Sequence, residues 1–102
     1  MIDRPMYYNR EGKPITQEEW VKSFENFKEK IVQQDNLPGG RRISTVWLGL
    51  DHDYAGLGPP LIFETMVFGE EGNETDCERC STWEEAERQH EAMVEKVRST
   101  QN

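Results

Sequence analysis

Between residues 15 and 34, "ITQEEWVKSFENFKEKIVQQ", Trp20, Phe24, Phe27 and Ile31 recur at spacings of four, three and four. That spacing puts them on one face of a helix. Thr16 with Glu19 fits a capping box, and Ile15 with Trp20 a hydrophobic staple, so the helix is expected to begin at Thr16. Pro38 and the Gly39-Gly40 pair end the segment. Residues 43–50, "ISTVWLGL", and 61–68, "LIFETMVF", are β-branched and aromatic and read as two strands. The ten residues between them contain "GLGPP" and form a loop. A further short strand is possible around 76–80. From Ser81 a second helix follows, with Glu84 completing a capping box and Trp83, Ala86, His90, Met93, Val94 and Val97 on one face. Near the start, "MYYNREGKPI" (6–15) reads as a strand and turn.

The expected fold is α+β: a single domain over 1–102, with a small antiparallel sheet of three or four strands and two amphipathic helices packed on one face. Pairing the two strong strands with Leu50 opposite Leu61 gives the sheet two sides. Val46, Leu48, Leu50, Leu61, Phe63 and Val67 share the first, the floor for the helices. Ile43, Thr45, Trp47, Ile62, Glu64, Met66 and Phe68 share the second, with Glu64 across from Trp47. Two helical stripes cover one face of a small sheet and hardly two. At ~25 cal/mol per Å² of apolar surface, the second side is expected to meet another copy of the chain, a partner protein or a ligand. A different register, or the "MYYNREG" segment, is the alternative cover.

The 102 residues carry a net charge of −8, with 34% hydrophobic and 31% charged residues. Such a surface repels nucleic-acid phosphates, so direct nucleic-acid binding is not expected. An acidic protein can also occupy a partner's basic groove, or the acid serves solubility. No run approaches the roughly 18 apolar residues of a membrane span. The start resembles no secretion signal, so a cytoplasmic chain without membrane contact is expected.

Candidate chemistry is thin. Asp51-His52-Asp53, followed by Tyr54, reads as a general base, a metal-binding element or ordinary turn chemistry. Glu64 sits inside an apolar strand, and desolvation there suits acid–base work. A bond from Trp47 Nε1–H or a salt bridge to an arginine such as Arg41 or Arg42 accounts for it equally well. Cys77 and Cys80 have the spacing of half a zinc site, which His52 and His90 complete on paper. Without a second such pair that motif is weak, and His90 also suits a hydrogen-bonded core position. No phosphate loop or serine elbow is present.

The blocks "STVWLGLDH", "GPPLIFETMVFG" and "ERCSTWEEAERQHEAMVEKV", after an opening "YYNREGKPITQEEW", resemble a family of small proteins encoded by bacteriophages and prophages. The family has no assigned reaction, so no catalytic residues are implied. It carries an aromatic residue where this chain has Cys80, which counts against a shared zinc site. The resemblance implies a viral accessory protein in the cytoplasm of an infected bacterium that binds and inhibits or redirects a host protein, defence systems included. Three functions therefore stand open. One is an interaction protein, a homodimer or host complex, using Trp47, Ile62, Glu64, Met66 and Phe68. The second is a binder of a signalling nucleotide, with Asp51–Pro60 as lid and Arg41, Arg42 and Arg79 on phosphates. The third is a metal-dependent enzyme using Asp51, His52, Asp53, Glu64 and His90.

Overall fold

A computed structural model describes residues 5–53 and 56–99 of the chain. It is an α+β fold. Helix α1 (Gln17–Glu25) and the single turn α2 (Phe27–Lys30) lead into strands β1 (Ile31–Leu37), β2 (Arg41–Trp47), β3 (Phe63–Phe68) and β4 (Glu74–Cys80), and α3 (Trp83–Ser99) closes the chain. The four strands form one antiparallel meander in sequence order.

The capping box of α1 is present. Thr16 Oγ1 accepts from the Glu19 N–H at 3.1 Å, and the Thr16 N–H donates to Glu19 Oε1 at 3.0 Å. The helix then stops at Asn26, whose ψ of 90° is extended. Residues 31–34, expected to be helical, belong instead to β1. An exposed helical tail gains about one hydrogen bond per residue, whereas Ile31–Leu37 gains a full ladder with β2 through the turn at Pro38-Gly39-Gly40. Gly39 and Gly40 take φ of +83° and +76°, which that tight reversal requires. α3 also starts one residue later than its sequence suggests. Thr82, not Ser81, is the cap: its Oγ1 accepts from Glu85 N–H, and its own N–H donates to Glu85 Oε1.

The β2–β3 register is one residue from the expected one. Trp47 faces Phe63, and Glu64 faces Val46. The cause is a bulge beyond Trp47, where the N–H groups of Leu48 and Gly49 both donate to the Ile62 carbonyl, at 2.7 and 3.2 Å. Two residues there oppose one, and every side chain on the strand side of the bulge changes face relative to the loop side. Ile43, Thr45, Trp47, Phe63, Thr65 and Val67 therefore lie toward α3, which crosses all four strands.

The core has two apolar clusters on this side. Tyr8, Trp47, Ile62, Phe63, Cys80 and Ala86 form one, and Leu37, Ile43, Val67, Met93, Val94 and Val97 the other. α1 reaches the first cluster from the end of the sheet, where Trp20 and Phe24 stack in series toward Trp47. The N-terminal turn, closed on itself by the Tyr8–Pro14 bridge, joins there through the Tyr7–Leu50 bridge.

Gly49 is the pivot of this arrangement. Its φ is +67°, and a Cβ there would run into the Trp47 ring and lie 2.7 Å from Trp20. Gly49→Ala is expected to destabilise the protein by about 2–4 kcal/mol through strain and overpacking. Urea unfolding measures this, and a change under about 0.5 kcal/mol contradicts the role given to this residue.

Candidate functional site

The side of the sheet away from α3 carries Arg42, Ser44 and Val46 on β2 opposite Phe68, Met66 and Glu64 on β3. Gln34 and Ile31 flank them on β1, and Cys77 and Arg79 on β4. Among the described residues, α3 is the helix packed across the sheet, and it covers the other side. At the β1 edge, α1 and α2 bound a groove of about 270 Å³. Phe24, Ile31, Val46, Met66 and Phe68 supply its apolar surface, while Trp47 and Leu48 close one end. Its charged groups are both cations: Lys30, whose ammonium lies 3.8 Å from the Phe24 ring centre, and Arg42, over Phe68 at 4.8 Å. Ring faces attract both.

The expected contact residues separate. Glu64, Met66 and Phe68 share the open side, whereas Trp47 and Ile62, 1% and 0% exposed, belong to the core. Glu64 does not meet Trp47 Nε1. It pairs with Arg79, whose Nε donates to Glu64 Oε2 at 3.0 Å. Trp47 Nε1–H is left buried without an acceptor among the described residues. The groove residues that sequence reasoning missed are Phe24, Lys30, Ile31, Arg42 and Val46. The helical spacing through Ile31 hid β1, and without β1 this groove has no second wall.

Asp51, His52 and Asp53 stand at the loop and do not line the groove. Asp51 Oδ1 accepts from Asp53 and Leu61 N–H groups, and the Asp53 carboxylate accepts from Gly56 and Gly58. Both acids thus tie the loop's backbone. Tyr54 lies outside the described residues. Cys77 faces Met66 on the open side and Cys80 faces Phe63 on the core side, so strand alternation holds the two thiols apart. Burial pushes Cys80 up to about 11, and burial followed by the nearby Glu64 raises Cys77, which disfavours the thiolate that zinc or redox chemistry needs. Among the described residues no three His, Cys, Asp or Glu side chains converge as metal ligands. Arg41 and Arg42 point to opposite sides and Arg79 is tied to Glu64, so the three arginines do not form one phosphate cradle.

His90 is fully buried between the two apolar clusters, in a hydrogen-bonded chain that crosses the sheet. Its Nε2 lies 2.7 Å from Asp35 Oδ2 and its Nδ1 2.7 Å from Thr45 Oγ1, which lies 2.7 Å from Thr65 Oγ1. Thr65 donates to Gln89 Oε1, and Gln89 Nε2 donates to the Arg79 carbonyl. Acid, imidazole and hydroxyl resemble a nucleophilic triad. Thr45, however, has no exposed surface, and Thr65 already engages its oxygen.

His90 thus links the buried hydroxyl of Thr45 to the partly exposed carboxylate of Asp35, and both of its ring nitrogens have a hydrogen-bond partner.

The chain matches no protein-family model, no curated protein and no solved structure.

One measurement checks the polar chain. The Asp35 carboxyl is held below its ordinary 3.8 by the His90 hydrogen bond first, with Gln33 and charge adding to it. A carboxyl lowered on folding gives stability that is present above its ordinary value and lost as pH falls through the lowered one. The stability advantage of wild type over Asp35→Asn is therefore expected to shrink below pH 3.8, read by urea unfolding across pH. An advantage constant with pH would remove this linkage.

Proposed function

We propose that the chain is a non-catalytic binding protein whose open sheet face docks a partner protein. One observation supports the reading above the others: Val46, Met66 and Phe68 form an apolar floor on the side of the sheet that α3 leaves uncovered, in a groove walled by α1 and α2. Covering such a floor is favourable at ~25 cal/mol per Å², and its three residues are only partly buried by their own chain. The rival chemistries have less to work with. The loop acids are spent on backbone N–H groups, the thiols are held apart, and the buried hydroxyls meet no solvent.

The resemblance to small phage-encoded proteins supplies the setting of the proposal. The partner is then a host protein, a defence component among the candidates, met in the cytoplasm of an infected bacterium. No helix of the described residues is long and apolar enough to cross a membrane.

Met66→Glu places a charge in the groove floor, on the side away from α3, and is expected to leave the thermal melt within a few degrees of wild type. A host protein retained by the wild-type chain and lost by this variant, then purified and mapped by NMR to Val46, Met66 and Phe68, supports the reading. Equal retention by both chains, or a contact mapped to another surface, overturns it.

A further inference from the structure

Resting on that docking role, we propose that the partner contributes an extended segment that pairs antiparallel with the outer edge of β1 as an added strand of the sheet. The two edges of the sheet differ, and the phase of the backbone bonds shows how. In an antiparallel ladder alternate residues turn both N–H and C=O toward one neighbour, and the residues between turn theirs the other way. The Leu48 N–H bond to the Ile62 carbonyl sets that phase. Two residues back along the register Val46 bonds Glu64, so Ile43 and Thr45 turn to β1 and bond Asp35 and Gln33. Gln34 and Asn36 of β1 therefore face outward, as do Cys77 and Arg79 of β4.

The β4 edge is closed by its own protein's side chains. Asp76 Oδ1 accepts from the Cys77 N–H at 2.9 Å, and Gln89 Nε2 donates to the Arg79 carbonyl at 3.3 Å. Glu74, Asp76, Glu78 and Arg79 add the charges that keep strands from joining. The β1 edge has no such closure. Among the described residues nothing bonds the outward backbone groups of Gln34 and Asn36, and both residues are exposed. The register is unbroken from Gln33 to Leu37, and the one charge there, Asp35, faces α3 and holds His90. An open edge of this form is a template for another strand.

The flanks of β1 select the segment. In an antiparallel pair, residues opposite each other share a side of the sheet. Those opposite Gln34 and Asn36 stand on the open side, where Gln34 lines the groove with Phe24, Ile31, Met66 and Phe68. Apolar side chains gain from burial there. The one opposite Asp35 stands on the α3 side, where half-exposed Asp35 and exposed Glu91 are joined through Gln33. A basic side chain complements those carboxylates, and a net charge of −8 favours a basic segment over an acidic one. The occupant is a strand that alternates apolar and basic residues. A second copy paired edge to edge about a two-fold axis sets Asp35 and Glu91 near their own equivalents, which opposes it.

The test uses the full chain, nitrogen-15 labelled, and synthetic peptides of about nine residues that alternate valine and lysine. The parent peptide is expected to bind and to slow exchange of the Gln34 and Asn36 amide hydrogens about tenfold or more. N-methylation of its valine amides, which face β1, is expected to abolish binding. Methylation of its lysine amides, which face away, is expected to leave binding intact. Asn36→Pro removes an outward N–H where an edge strand tolerates proline. It is expected to weaken the parent peptide about tenfold with the melt within a few degrees of wild type. No binding by the parent peptide, equal binding by the two methylated peptides, or equal binding with glutamate in place of lysine overturns the proposal. So does protection of Cys77 and Arg79 instead of Gln34 and Asn36. Protection of the β1 amides that rises with protein concentration alone makes a second copy the occupant and also overturns it. The two proposals fail separately. A host protein lost by Met66→Glu but held equally by wild type and Asn36→Pro leaves the docking face standing and removes the added strand.

Discussion

Two consecutive amide groups, those of Leu48 and Gly49, converge on one carbonyl, that of Ile62. Side chains alternate along a strand, so that extra residue decides which half of β2 and β3 becomes core. It turns Trp47 toward Phe63 and α3, and leaves Val46, Met66 and Phe68 on the open side. Gly49 sits where the bulge needs a positive φ and where two indoles leave no room for a Cβ. The core, the groove and the placement of Glu64 all descend from this local irregularity.

Covering the sheet with one long helix has a second consequence. α3 presents Ala86, His90, Met93, Val94 and Val97 to four strands, and the row between its two apolar clusters is polar. Thr45, Thr65 and His90 meet there with no exposure, and each finds a partner. A fully satisfied buried network tolerates little displacement, because any slip leaves a donor or acceptor unpaired in a low dielectric. The row therefore acts as a key for the docking of α3 on the sheet. The outward end of the chain, Asp35, is half-exposed and also accepts from Gln33.

Charge is distributed with the same economy. The solvent face of α3 carries Glu84, Glu87, Glu91 and Glu95, all exposed, and the first turn of α1 carries Glu18 and Glu19. Lys30 and Arg42 instead lie over aromatic rings in the groove. These carboxylates thus lie on the helices, and the two cations lie against rings in the apolar groove.

Local patterns in the sequence determined much of the architecture. The Thr16–Glu19 cap, the apolar stripe of α3, the β-branched runs of β2 and β3 and the Pro38-Gly39-Gly40 break each depend on neighbouring residues, and each acts as its chemistry requires. His90 was legible as a core residue for the same reason. Tertiary structure alone decided three matters. Whether Ile31–Gln34 continued a helix or joined a ladder depended on a partner strand across a turn. The β2–β3 register depended on a shared carbonyl 13 or 14 residues away in the chain. The groove depended on both, since its walls come from segments that meet only after folding. Short-range propensities carry the energy of one turn or one strand, and pairing between distant strands overrides them when it satisfies more backbone groups at once.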